Sequence, residues 1–401
     1  MRILFSHYGF LDGSGFSRSY LLAINLASLG HEVTLITTQK LNFKLPYIVQ
    51  YRDGIKIIAV PDFIPISIIN TGFGILTPII KTFIILKSNY DIVHADAGHR
   101  LNSGLPCIVY KMFKSCVYIT EWWDYFGRGG LFERRKIIKK LTIGIWDLIF
   151  EVCSKRVADG VVALSSYTYV RALRCNISSE RLIVIRGGCD TKRIPYYPSN
   201  DALKEKYNIP SVSLVLGFIG ITDGEIDDLL PLFSALKIVP NNINVKLLTT
   251  GGKINQKLVT QYGLQKYLIE YGWLDYEIFA EVIGCVDIFI LLQRNGRQEK
   301  ARWPNKIGDY FSAGRIVLTN PVGEIRYLIK DYKDFFFVCY RNKTSIYNSI
   351  IHLYNERQSY MSIRPKIRRV AEEKLSWLNA ATKLEQFYIK ICKNNKYDKF
   401  Q

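Results

Sequence analysis

Ile3-Leu-Phe-Ser6, Tyr20-Leu-Leu-Ala-Ile-Asn-Leu-Ala-Ser-Leu29, Gly30 and Val33-Thr-Leu-Ile-Thr37 follow one another at the start of the chain, and their order decides the fold. The first run is short and apolar, as a buried strand is. The second repeats its apolar residues at helical spacing, and Gly30 supplies the conformation that ends a helix. The third is a β-branched strand. Strand, helix, strand in that order is a βαβ unit, whose two strands lie parallel because the helix carries the chain back across the sheet. Similar runs recur at Lys56–Val60, Ile92–His94, Val117–Thr120 and Gly160–Leu164, with helical patterns between them. They predict a mainly parallel sheet covered by helices on both faces.

The pattern then restarts at Leu214–Ile219, Val245–Thr249, Ile288–Leu292 and Ile316–Thr319. Between the two series lies Arg193–Asp201, whose Pro195 and Pro198 suit a linker. The expected architecture is α/β, with two doubly wound Rossmann-like domains facing a central cleft. The N-terminal domain spans 1–195, the linker 196–204 and the C-terminal domain 205–375, and a last helix covers 376–392. A length of 401 residues fits two cores better than one. In such sheets ligands bind beyond the carboxyl ends of the strands, which makes the cleft the expected site.

Composition narrows the function classes. Apolar residues make up 48% and charged residues 22%, a folded globular chain. A net charge of +19 attracts nucleic acid, anionic lipid or phosphorylated substrates alike. No nucleic-acid-binding motif accompanies it, so nucleic acid is not an expected partner. The eight cysteines form no CxxC pair and no His/Cys cluster at zinc spacing, and read as buried thiols of a reducing compartment. Met1–Phe10 lacks the apolar core of a signal peptide, so the expected location is cytoplasmic. Phe63 to Ile80 is uncharged and long, but Pro65, Asn70, Gly72, Gly74 and Pro78 interrupt it, which favours a loop leading into a buried or interfacial helix over a membrane span.

Three segments carry candidate chemistry. In the loop Gly9–Ser17, Gly13 and Gly15 permit a tight turn whose N–H groups can face a phosphate, or form a plain turn. From Arg294 to Gly314, Arg294, Arg297, Lys300, Arg302 and Lys306 concentrate cations suited to a diphosphate, and Asp309 sits one turn after Lys306, placed to accept from ribose hydroxyls; a solvated charged loop is the bland alternative. At the end of the N-domain strand Val117–Thr120, and so at the cleft, stand the carboxylates Glu121 and Asp124, with Trp122, Trp123 and Tyr125 as ligand-stacking faces or core. The stretch from Leu131 to Val152 places Ile138, Leu141, Ile145, Leu148, Ile149 and Val152 at helical spacing behind Arg134, Arg135, Lys136, Lys139 and Lys140. Such a helix covers a sheet or lies on an anionic membrane, and both readings stand.

Across nearly its whole length the chain resembles the family-4 glycosyltransferases of the GT-B fold. Gly30-His-Glu-Val-Thr-Leu-Ile-Thr37, Asp91-Ile-Val-His-Ala95, Ala158-Asp-Gly-Val-Val-Ala-Leu-Ser165, Ile185-Arg-Gly-Gly-Cys-Asp190, Gly272-Trp-Leu274 with Val286-Asp-Ile288, and Pro304–Val317 match the family's motifs in order. The resemblance implies transfer of a sugar, hexosyltransferase-like, from a nucleotide-diphosphate sugar to a glycan or membrane-lipid-linked acceptor. It implies retention at the anomeric carbon, with no metal and no further cofactor. It places the donor mainly on the C-terminal domain, with Asp309 as the ribose-binding carboxylate, Lys306 on the same strip, and Gly323 and Glu324 in the following loop. The site set read from the sequence is therefore Glu121 and Asp124 for catalysis, and Gly13, Gly15, Arg297, Arg302, Lys306, Asp309, Gly323 and Glu324 for the donor. Partners expected besides the donor are the acceptor and an anionic membrane surface, which would make the protein peripheral on the cytoplasmic face. Two departures keep a catalytically silent GT-B-like binding or scaffold protein as the alternative. The family's EX7E acid falls on Ala301, with Glu299 close by, and Gly217–Asp228 lacks the usual diphosphate-gripping Arg and Lys.

Overall fold

The computed structural model describes residues 1–13, 16–40, 47–62, 72–221 and 225–394. The chain divides into two compact units. The first joins Met1–Gly187 to Gly296–Trp303 and to the C-terminal segment from Trp377, and the second comprises Gly188–Asn295 and Pro304–Ser376.

The first unit is built on β1 (Arg2–Phe10), β2 (Glu32–Gln39), β3 (Ile48–Arg52), β4 (Ile55–Pro61), β5 (Ile92–Ala95), β6 (Val117–Trp122), β7 (Gly160–Ala163) and β8 (Leu182–Val184). They form one sheet in the order β3-β4-β2-β1-β5-β6-β7-β8. Among the described residues of this sheet only the β3–β4 pair is antiparallel. The opening βαβ unit forms as its sequence dictates. The helix Phe16–Ser28 ends where Gly30 takes φ +90° and the His31 N–H donates to the Leu26 carbonyl at 3.3 Å, and β2 then pairs Val33 with Ile3. After β4 the chain returns to the other side of β1, so β1 and β5 are neighbours at the point where the winding reverses. Their carboxyl ends are where a ligand crevice opens in this topology.

One face of this sheet packs Phe5, Leu35 and Ile119 against Leu22 of the first helix and against Leu384, Phe387 and Tyr388 of the helix Trp377–Asn394. The opposite face packs Leu4, Val93 and Tyr118 against Ile85, Cys107 and Tyr110, from the helices Leu76–Leu86 and Leu101–Phe113. The second of these comes very close to the loop behind β5: a Cβ at Gly104 would stand 1.9 Å from the Gly98 carbonyl oxygen. Gly104→Ala is therefore expected to lower stability by about 2 kcal/mol through overpacking, read as a lower midpoint in denaturant with an unchanged slope.

The second unit orders β9 (Leu214–Ile221), β10 (Val245–Gly251), β11 (Leu268–Glu270), β12 (Ile288–Leu291), β13 (Ile316–Thr319) and β14 (Phe336–Val338) as β11-β10-β9-β12-β13-β14, with parallel pairing. Under its amino-terminal edge the buried Asp287 is held by Lys204 at 2.7 Å and Arg364 at 3.1 Å and accepts from the Val215 N–H at 2.9 Å. Burial alone would raise its pKa, but Lys204, Arg357 and the Val215 N–H hold it below the ordinary carboxylate range.

The segment 131–152 differs from its sequence reading in continuity, and its direction decides between the two readings. It is broken into Leu131–Arg134, Ile137–Lys139, a widened turn at Lys140–Gly144, and the helix Ile145–Arg156. Val152 packs on the core. Ile138, Leu141, Ile145 and Ile149 face outward, and the buried side carries Asp147, Glu151, Ser154 and Lys155 instead, which overturns the sheet-covering reading. The polar side is tolerated because it is paired: Glu151 accepts from Trp122 Nε1 at 2.7 Å and from Arg171 at 2.6 and 3.0 Å, and Asp147 is bonded by Arg135. Among the described residues no helix is long and apolar enough to cross a membrane. Positions 63–71 of the uncharged stretch lie outside the described residues.

Candidate active site

In the first unit the candidate groups gather at the carboxyl ends of β1, β5 and β6. Gly13 closes a tight turn, donating to the Phe10 carbonyl at 3.0 Å; Gly15 lies outside the described residues. Glu121, buried on β6, takes a two-pronged contact from Arg18, with Nε to Oε2 at 2.8 Å and Nη2 to Oε1 at 3.1 Å. Trp123 Nε1 donates to the same carboxylate, and His94 Nε2 lies 3.5 Å away. Arg18 also donates to the Ile185 carbonyl at 2.9 Å. His94 is kept neutral: burial lowers its pKa to about 4, against the pull of Glu121.

Asp124 is in a different state. Burial above all, opposed by Arg302 and Arg134 and helped by Glu151 and Glu299, leaves its pKa raised to about 6. Its Oδ1 is buried without a hydrogen-bond partner among the described residues. A carboxylate poised near neutrality with an open oxygen is what proton transfer requires.

The segment Gly296–Trp303 belongs to this unit. Its short helix Arg297–Ala301 is fastened by Ser165 Oγ, which donates to the Ala301 carbonyl at 2.5 Å, and by Arg134, which meets Glu299 at 2.5 Å. Burial would raise the Glu299 pKa, but the hydrogen bond from Arg134 leaves it lowered. Arg297 donates to the Arg128 carbonyl at 3.1 Å, with its side chain against Gly129. Arg297 and Arg302 thus make their contacts in the first unit, whereas Arg294, paired with Asp228 at 3.0 Å, and Lys306 make theirs in the second.

One pair escaped the sequence reading. His7 Nδ1 is hydrogen-bonded to Asp96, which also accepts from Ser103 Oγ at 2.7 Å, and all three side chains are buried. They come from β1 and the end of β5, neighbours at the winding reversal. Nearby, Tyr8 meets Trp123 edge-on at 5.7 Å, and burial with Asp96 pushes its hydroxyl up to about 12.

In the second unit Lys306, at the start of the helix Lys306–Ser312, donates to the Gly220 carbonyl at 3.0 Å, pairs with Glu225 at 2.8 Å and lies over the Phe218 ring at 4.1 Å. Residues 222–224, between these partners, lie outside the described residues. Gly308 brings the helix against the chain entering the unit, since a Cβ there would sit 2.4 Å from the Gly188 carbonyl oxygen. That contact sets Asp309 beside Asp190. Burial first and Asp190 second, against the opposing Lys306, raise the Asp309 pKa to about 7. Gly323 has φ +56°, and Glu324, buried, opens the helix Ile325–Asp331.

Residues 213–356 match the family model described as Glycosyl transferases group 1. Sucrose-phosphate synthase from Thermosynechococcus elongatus superposes with a TM-score of 0.75 at 15% identity, covering 98% of this chain and 100% of its own. A glycosyltransferase from Rickettsia africae gives 0.68 at 17%, covering 98% and 99%. The chain has the GT-B fold. HepE from Anabaena, solved with UDP, gives 0.67 at 14%, covering 96% and 99%. No protein of curated function matches the sequence. The GT-B resemblance read from the sequence motifs is thereby borne out, and the matched segment of this GT-B chain contains Arg297, Arg302, Lys306, Asp309, Gly323 and Glu324.

Proposed function

We propose that this protein transfers a sugar from a nucleotide-diphosphate sugar to a glycan or lipid-linked acceptor, with retention and without a metal, on the cytoplasmic side of a membrane. The observation that carries the reading is Lys306 and Asp309, inside the segment that matches group 1 glycosyl transferases, with Asp190 beside them. Asp309 accepts from the ribose hydroxyls of the donor, and the Lys306 ammonium offsets charge on the leaving diphosphate; Arg297 and Arg302 are the cations that the sequence assigns to the donor from the first unit. Gly13, Gly15, Gly323 and Glu324 complete the donor set. Of the two first-unit carboxylates, Asp124 has the free oxygen and the raised pKa suited to the acceptor hydroxyl, while Glu121 is tied to Arg18. A reading as a silent binding protein is favoured by Ala301 at the EX7E position and by Arg294 being neutralised by Asp227 and Asp228.

A thermal-shift panel of nucleoside diphosphates and their sugars, followed by product analysis with the best ligand, tests both readings. A raised melting temperature together with donor turnover supports transfer. A shift with no turnover of the donor on prolonged incubation supports the silent reading, and no shift with any of them overturns both.

A further inference from the structure

We infer that the outer face of the 137–150 segment, together with the helix Leu76–Leu86, is a docking surface for an anionic lipid bilayer. Its mark is an inverted helix. Ile145–Arg156 buries Asp147, Glu151 and Lys155 and turns Ile145 and Ile149 outward, the reverse of what a helix in water does. Ahead of it Ile137, Ile138 and Leu141 are 76%, 73% and 66% exposed. Scattered exposed apolar residues mean nothing, but here they occupy successive turns of one face.

The face continues onto a second helix. Leu76, Ile79 and Phe83, at helical spacing on Leu76–Leu86, are exposed as well. Aromatic rings join the two stripes: Phe73 meets Trp146 edge-on at 6.1 Å, and Trp146 stacks on Phe150 at 4.0 Å. Trp146 Nε1 is anchored on the His99 carbonyl at 2.7 Å, so the ridge is fixed to the unit.

Charge chooses the occupant. Lys136, Lys139 and Lys140 border the ridge, the one carboxylate between 136 and 150 is the buried Asp147, and the helix Leu76–Leu86 contains none. Apolar side chains rimmed by cations match the acyl boundary and the phosphates of an anionic leaflet, into which such a face sinks without spanning. A second copy of this chain would set the same lysines against one another across a two-fold axis, which disfavours self-association.

Flotation of the full chain with phosphatidylcholine vesicles containing roughly a third phosphatidylglycerol is the test, with pure phosphatidylcholine vesicles as the comparison. The chain is expected to float with the anionic vesicles and much less with the neutral ones. The double variant I138E/L141E should bind about tenfold more weakly, and each of Lys139→Glu and Lys140→Glu should lose about fivefold on anionic vesicles only. Melting temperature and the thermal shift with UDP should stay at the parent values, which separates failure of the surface from failure of the donor reading. Failure of the parent chain to float, or equal flotation of I138E/L141E, overturns the inference. So does light scattering that shows a dimer dissolved by the same double variant.

Discussion

Asp309→Ala is expected to weaken UDP binding by roughly 100-fold in calorimetric titration, because a carboxylate accepting ribose hydroxyls contributes about 3 kcal/mol through charge-assisted hydrogen bonds. The sign of the pH dependence follows from the raised pKa of about 7. Only the ionised carboxylate accepts from both hydroxyls, so affinity should rise with pH through neutrality, by roughly tenfold between about pH 6 and about pH 8. The diphosphate of UDP titrates over part of this window as well. Asp309→Asn separates the two, since it keeps the shape and loses the titration: the slope left in Asp309→Asn belongs to the ligand, and the difference belongs to Asp309. Equal affinity for the parent and Asp309→Ala would remove Asp309 from the donor site. Because Asp309 lies in a short helix pressed on Gly188, the melting temperature of each variant without ligand shows whether the site itself has moved.

The elements that could be read from the sequence are those fixed by local order. The opening βαβ unit forms because a strand run, a helical run and Gly30 stand in immediate succession. The strands β3, β8, β11 and β14 were not read: they are short, and β8, β11 and β14 each keep at least one residue only partly buried. Their pairing comes from the neighbouring strand rather than from their own pattern. The direction of the 131–152 segment stayed open for a different reason. Helical spacing reveals that one face is apolar but not which way it points, and the direction was decided by Trp122 and Arg171 closing on Glu151 from other elements. The site divides along the same line. Lys306 and Asp309 are one turn apart and legible, whereas His7 and Asp96 are 89 residues apart and meet only because β1 and β5 are neighbours. A histidine closing the first strand and an aspartate closing another were the only signals available, and neither has a partner at readable spacing.

Arg18→Met is expected to destabilise the first unit by about 3–5 kcal/mol, because it leaves the Glu121 charge buried without its partner. Arg18 and Glu121 are 3% and 2% exposed, so bulk water does not replace the lost contact. A thermal midpoint lower by roughly 10 °C should result. Glu121→Leu should cost a similar amount for the converse reason, with the Arg18 guanidinium left without a carboxylate, on the Ile185 and Arg186 carbonyls. The double variant R18M/E121L removes both charges and should recover most of the loss, giving a coupling energy of the size seen when one buried pair accounts for both single effects. The result bears on chemistry as well as on stability. If Glu121 serves to anchor β6 through Arg18, the stable double variant retains measurable sugar transfer; if Glu121 is itself the catalytic carboxylate, that variant is folded and inactive, and the role assigned to Asp124 passes to Glu121.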